Sequence, residues 1–165
     1  MDVQTPTLDT IFSVDHNWVS TLPRERVRVL IATGDVLLAR TVNYKNVKSG
    51  NFTWPFEKTA DILKSADVTF INLETPIIEN CPITNTGMSF CGDPGNIHGL
   101  LFAGIDVVNI ANNHMANYGL DGVESTVDKL SEAGLLAAGI SGPVYRDVAG
   151  LQFEFLGYNE VNFQA

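Results

Sequence analysis

The 165-residue chain is poor in cysteine, in positive charge and in long apolar runs. Ten Lys and Arg oppose nineteen Asp and Glu, for a formal net charge of −9. Such a surface repels phosphate backbones and disfavours a nucleic-acid partner held by charge. A phosphorylated substrate stays compatible with it, because a bound metal inverts the local field. No Lys or Arg precedes Arg24, so the positive start of a secretory signal is not seen. No apolar stretch approaches the roughly 18 residues of a spanning helix. A G-x-S-x-G elbow and a G-x4-G-K-[ST] loop are both missing, and Gly139-Ile140-Ser141-Gly142 makes no dinucleotide fingerprint. Serine-hydrolase, kinase and Rossmann-cofactor chemistry therefore lack a sequence basis.

The two cysteines, Cys81 and Cys91, share one Gly/Pro/Asn-rich segment. They read either as free thiols or as a disulfide contributing roughly 3 kcal/mol, the latter pointing to an oxidising compartment. Their spacing lacks the tight C-x2-4-C of zinc sites. Asn51-Phe52-Thr53 matches a glycosylation sequon, a triplet too common to carry weight.

What is present suffices for one domain: 45% of the residues are hydrophobic. Residues 1–24 read as a lead-in or linker with a short apolar patch at Ile11, Phe12, Val19 and Leu22. From residue 25 onward a βαβ alternation sets in. Val27 to Ala32 predicts a buried strand ending at Gly34-Asp35. Trp54-Pro55 opens a helical stretch carrying Phe56, Ala60, Ile62 and Leu63. Val68 to Ile71 predicts a second strand ending at Asn72-Leu73-Glu74. Ile97 to Phe102 predicts a short helix closed by Gly104, and Val107 to Ile110 a third strand ending at Asn112-Asn113-His114. Asp121 and Glu124 have capping-box spacing for a helix burying Val123, Val127 and Leu130 and stopped by Gly134. A weak strand at Leu135 to Ala138 and a better one at Phe153 to Gly157 complete the pattern.

This order implies an α/β fold with a largely parallel sheet, whose sites form beyond the carboxyl ends of the strands. Three successive strand ends are polar: Gly34-Asp35, Asn72-Leu73-Glu74 and Asn112-Asn113-His114. If the strands are neighbours, these corners converge. Two carboxylates, an amide oxygen and an imidazole suit Mn, Fe or Zn. Two metals about 3.5–4 Å apart can clamp a phosphoester displacement. Asp35 is placed to bridge them and Asn113 to act as a neutral ligand, while His114 can protonate a leaving alkoxide or steady developing charge. Taken singly, each residue has a plainer role. Asp35 shapes a turn, Asn72 satisfies a strand end, Glu74 is a solvated loop acid, Asn112 and Asn113 are left-handed turn residues, and His114 is structural. Arg40 reads either as a contact for an anionic group or as a salt-bridge partner of Glu57 or Asp61. His16 and His98 lie outside the pattern.

At these residues the chain resembles the capsule-synthesis CapA, or poly-γ-glutamate biosynthesis, family of the calcineurin-like metallophosphatase superfamily. The matching stretches are Ala32-Thr33-Gly34-Asp35-Val36-Leu37-Leu38-Ala39-Arg40, Phe70-Ile71-Asn72-Leu73-Glu74-Thr75-Pro76, and Asn109-Ile110-Ala111-Asn112-Asn113-His114 with Asn117-Tyr118-Gly119. Phe90-Cys91-Gly92-Asp93-Pro94 and Phe155-Leu156-Gly157-Tyr158 are weaker landmarks. The resemblance implies that residues 25–165 form the N-terminal half of a four-layer αββα metallophosphatase sandwich, with the later Gly-His-x-His-like histidines and second sheet missing. An uncovered sheet face would then invite self-association.

The resemblance also implies two divalent metal ions, with Asp35, Glu74 and Asn113 as ligands and His114 as acid or charge stabiliser. Arg40, Asn72 and Asn112 become substrate contacts. Family members often carry an acid where this chain has Asn117. The implied partner is a phosphoester or an anionic surface polymer, and the implied setting extracytoplasmic or membrane-associated. Two other readings are a non-catalytic accessory protein that binds the polymer and a flavodoxin-like domain, the latter requiring one sheet covered on both faces.

Overall fold

The computed structural model describes residues 22–160. After a single 3-10 turn at Arg24–Arg26 come β1 (Leu30–Val36), α1 (Arg40–Ser49), α2 (Ala60–Leu63), β2 (Val68–Leu73), α3 (Asn96–Ala103), β3 (Val107–Asn109), α4 (Gly119–Glu132), β4 (Leu136–Ala138), β5 (Val144–Val148) and β6 (Leu151–Phe155). Strands β1 to β4 form one parallel sheet in chain order, while β5 and β6 make a separate antiparallel hairpin. Because βαβ crossovers share one hand, a sheet whose strand order never reverses carries all its helices on one face.

The packing follows that rule. Ile71, Leu73, Val108 and Ile110 meet Leu63, Leu100, Ala103 and Leu130 from the helices in the main core. Alternate residues point the other way, and there Val68, Phe70, Val107, Leu136 and Ala138 meet Val144, Val148, Phe153 and Phe155 of the hairpin. The flavodoxin-like alternative fails, because the order β1-β2-β3-β4 has no reversal and the second face is met by a hairpin rather than by helices. Two anchors hold the hairpin in place. Arg146 pairs with Asp106 at 3.1 Å, and Arg28 Nε donates to the Val148 carbonyl at 3.1 Å.

The hairpin does not reach β1. Leu30 is 42% exposed and Ala32 is also exposed, so the strand expected to be buried is instead a sheet edge with one bare face. Among the described residues, the hairpin packs on β2 to β4 and leaves the same face of β1 exposed.

Other differences are local. Helix α1, which has no counterpart in the hydrophobic pattern, buries Asn43 and Asn46 rather than an apolar stripe. The stretch after Trp54 is mostly turns, with only Ala60–Leu63 helical. Helix α4 starts at Gly119, two residues before Asp121, so Asp121 lies in the first turn and no side chain caps the helix. Gly104 does close α3, with the left-handed backbone (φ 74°) that glycine accepts without strain. Of the lead-in, residues 1–21, including Ile11, Phe12, His16 and Val19, lie outside the described residues.

Candidate functional site

The sheet register decides which polar residues meet. Asp35 is paired with Asn72, and Asn72 with Asn109, so three polar side chains stand in a row across the carboxyl ends of β1, β2 and β3. A register irregularity between Ala32 and Asp35 lets the end of β1 stay in step. The row stands on the face away from the helices, since the same alternation puts Val68 and Phe70 under the hairpin.

Asn72 ties the corner together. Its Nδ2 donates to Asp35 Oδ1 at 2.8 Å, and its Oδ1 accepts from Asn109 Nδ2 at 2.8 Å and from Asn112 Nδ2 at 3.2 Å. Asn112 also donates to the Leu73 carbonyl at 2.9 Å, while its own Oδ1 accepts the backbone N–H groups of His114 and Met115 at 3.2 and 3.0 Å. It is 6% exposed, with its acceptor and both amide hydrogens engaged inside the protein. In this structure the amide shapes the loop that presents His114. Neither Asn112 nor Asn113 has a left-handed backbone, so the turn explanation fails for both.

Glu74 follows directly on β2 and is half-buried. Its carboxyl is raised from the ordinary glutamate value, first by burial and then by the negative charge of Asp35, with His114 pulling it back. The three strand-end corners thus share one electrostatic field.

His114 is held on two sides. Its ring lies 4.2 Å, centroid to centroid, from the ring of Phe90. Its Nδ1 is 3.2 Å from Asn117 Oδ1, an oxygen that also accepts the Phe90 backbone N–H at 2.8 Å. Because that oxygen can only accept, Nδ1 is the donor in this contact and Nε2 is the ring nitrogen left for other partners. Asn109 and Asn117 stand in the family-like stretches, but sequence reasoning gave neither a role in the site. The i, i+3 spacing from His114 to Asn117 was the available signal for the second. Phe90 adjoins Cys91, which forms a disulfide with Cys81 across a Cα–Cα distance of 5.8 Å. Of the two readings left open for these cysteines, the structure has the disulfide.

Two expected residues stand outside the hydrogen-bond network of the corner. Asn113 is half-buried, and its side chain makes no hydrogen bond among the described residues. Arg40 begins α1 with a left-handed backbone (φ 51°). The ion pairs among the described residues are Lys129–Glu79 and Arg146–Asp106, so Arg40 joins neither Glu57 nor Asp61. His98 is exposed on α3, away from the corner.

As a donor set, Asp35 and Glu74 offer two mutually repelling carboxylates, the kind of group a divalent cation relieves. Among the described residues there is no group of three or more His, Cys, Asp or Glu that could hold a metal ion. Asp35 and Glu74 are thus too few donors to hold a metal ion by themselves. No helix among the described residues is long and apolar enough to cross a membrane.

The capsule biosynthesis protein CapA of Bacillus anthracis is 27% identical over 138 residues, covering 77% of this chain and 33% of that protein. A probable polyglutamine synthesis accessory protein of Mycobacterium tuberculosis is 32% identical over 111 residues, or 66% of this chain and 29% of its own length. An uncharacterized protein of Sinorhizobium fredii is 30% identical over 118 residues, covering 67% and 24%. The chain thus spans about a quarter to a third of the length of these relatives. The family model for the bacterial capsule synthesis protein PGA_cap matches residues 29–164, from the start of β1 past the end of the hairpin, and the chain belongs to that family.

Proposed function

We infer that the chain contributes the strand-end cleft of a capsule-synthesis protein, handling an anionic surface polymer and carrying metal-dependent phosphoester chemistry when its metal shell is complete. The observation behind this reading is the Asn72-centred corner, in which Asp35, Glu74 and His114 are brought into one field by three neighbouring strands. Asp35, Glu74 and Asn113 would hold divalent cations (Mn, Fe or Zn), and Asn72 orients the Asp35 carboxylate for that task. Bound there, a cation would supply Lewis acidity and neutralise charge on a phosphoryl oxygen. His114, with Nδ1 held by Asn117, would act through Nε2, taking up a proton at that nitrogen and passing it to a leaving oxygen.

Calorimetric titration of the 165-residue chain with Mn²⁺ tests this. Binding is expected to weaken about tenfold or more in Asp35→Ala, as for loss of a coordinating group. Turnover of a chromogenic phosphodiester by this chain is expected to be nil, because the shell is partial. Mn²⁺ binding indifferent to Asp35→Ala would overturn the assignment.

A second reading has its own support, since the Mycobacterium tuberculosis relative is described as an accessory protein of polymer synthesis. On that reading the cleft is non-catalytic and the chain takes up no Mn²⁺, so the same titration separates the two.

A further inference from the structure

Helix α1 departs from the charge balance of the rest of the molecule. Arg40, Lys45 and Lys48 fall within its ten residues with no acid among them, in a chain of net charge −9. None of the three takes part in an ion pair among the described residues. Residues Arg40, Tyr44 and Lys48 recur every fourth position and so share one helix face, spanning about 12 Å at ~1.5 Å per residue.

Beside this face lies a groove of about 510 Å³, lined by Tyr44, Lys45, Lys48, Ser49, Asn51 and Trp54. The Lys45 ammonium sits 5.4 Å from the Trp54 ring centre, and Lys48 lies 5.9 Å from that of Tyr44. Both cations are thus held over aromatic faces rather than against carboxylates. Asn51 Oδ1 accepts from the backbone N–H groups of Thr53 and Trp54 at 3.0 and 3.3 Å, which fixes the turn that brings Trp54 to the groove. The indole Nε1–H of Trp54 is shielded from solvent and has no hydrogen-bond partner among the described residues. A buried donor left unpaired is costly, and an acceptor oxygen is what it lacks.

A solvated helix face would account for the lysines alone. It does not account for two aromatic platforms, an unpaired indole donor and a groove at one place. We propose that this groove is a binding subsite for a polycarboxylate chain of the poly-glutamate type, its carboxylates met by Lys45 and Lys48 and its backbone lying over Tyr44 and Trp54. The inference rests on the surface-polymer reading above and gives that reading a location separate from the strand-end corner. Arg40, at the cleft end of α1, extends the cationic line from the groove towards β1. Charge complementarity selects the occupant, because this helix is the part of an acidic protein where a polyanion finds cations unopposed by acids on the same element.

The test is fluorescence anisotropy of a labelled poly-γ-glutamate oligomer titrated with the 165-residue chain. The wild-type chain is expected to bind it, with affinity falling as salt rises. Lys45→Gln/Lys48→Gln should lose about tenfold or more in affinity, whereas Lys45→Arg/Lys48→Arg should retain most of it. Trp54→Phe, which keeps a ring and removes the indole donor, should cost a smaller factor. Far-ultraviolet circular dichroism of each variant establishes that it is folded. Failure of the wild-type chain to bind, unchanged binding by the folded Gln variant, or equally tight binding of polyphosphate would each overturn the proposal. Lys45→Gln/Lys48→Gln is expected to bind Mn²⁺ as the wild-type chain does, so failure of the groove and failure of the metal corner are read separately.

Discussion

The two faces of the sheet are finished to different degrees. On the helix side, Leu73, Leu100 and Leu130 are fully buried in a core that runs the width of the sheet. On the other side, a smaller cluster under the hairpin stops at β2 and leaves β1 bare. The polar corner stands on this less finished face, so the apolar packing that holds the strands in register lies behind the chemistry. Rigidity and function are thereby divided between opposite faces of the same strands. The sharpest way to break the comparison is to cut one cavity on each side. Leu100→Ala should cost about 3–4 kcal/mol, as for a closed site that cannot collapse. Phe155→Ala removes more atoms but sits at 9% exposure in the smaller cluster. It should cost only about 2 kcal/mol, because the hairpin can settle into the gap. Urea unfolding of both variants decides the matter, and a larger loss at Phe155 would reverse the ranking.

The loop over the corner is fastened by chemistry rather than by packing. The Cys81–Cys91 disulfide closes the segment that ends in Phe90 and Cys91, and Phe90 contacts His114 by its ring and Asn117 by its backbone. Replacing both cysteines by serine should lower stability by about 2–3 kcal/mol on the chain-entropy account. It should also shift the His114 imidazole resonances, because Phe90 is then held less firmly. Loss of stability with unmoved His114 resonances would show that the bridge staples the loop without positioning the ring.

How much of this was legible in the sequence differs between the same two faces. Strands β2 and β3 announced themselves through apolar, β-branched runs beginning at Val68 and Val107, and Gly104 marked a helix end. The polar strand ends were legible because their residue types are wrong for a core. Three kinds of feature were not. Helix α1 turns Asn43, Asn46 and, from α3, Asn96 inward, where Asn46 Nδ2 donates to Asn96 Oδ1 at 2.6 Å and Asn96 Nδ2 to Asn43 Oδ1 at 3.0 Å. A helix fastened by buried amides carries no hydrophobic period to detect. Strand β5 was hidden because Tyr145, Arg146 and Asp147 break any apolar run. The burial of β1 was overestimated because its β-branched composition is blind to how many neighbours a strand has. Within the corner, Gly157 crosses so close to Asn109 Oδ1 that a Cβ would collide with it, a contact between distant segments that no local spacing encodes.

Electrostatics offers a subtler probe of the corner. Burial and Asp35 raise the Glu74 carboxyl above its unfolded value. The protonated form is therefore favoured by folding, so the benefit is present below the ordinary glutamate pKa and is lost as pH rises through the raised one. Above that raised value and free of metal, Glu74 carries its charge at a cost. Glu74→Gln should then raise the thermal midpoint modestly near neutral pH in the presence of a chelator, with the gain vanishing below the ordinary glutamate range. Adding Mn²⁺ should stabilise the wild type more than the variant and reverse the order. A variant less stable than wild type in chelator would mean that the carboxylate is already compensated within the protein.

The smallest stability effect is expected on the bare face of β1, where the consequence is intermolecular. Leu30 at 42% exposure gains little from folding, so Leu30→Lys should change stability by no more than about 0.5 kcal/mol. Yet β1 is the edge of the four-stranded sheet, with its outer backbone groups unpaired within that sheet and with Leu30 and Ala32 exposed beside them. An apolar edge of this kind pairs readily with another, and one inward-facing charge is enough to oppose it. Sedimentation velocity over a concentration series should show the wild-type chain self-associating and Leu30→Lys shifted towards monomer at equal unfolding free energy. If the wild type remains monomeric throughout, the bare face is tolerated as it stands. The difference between the two faces would then be one of packing alone, with no consequence for assembly.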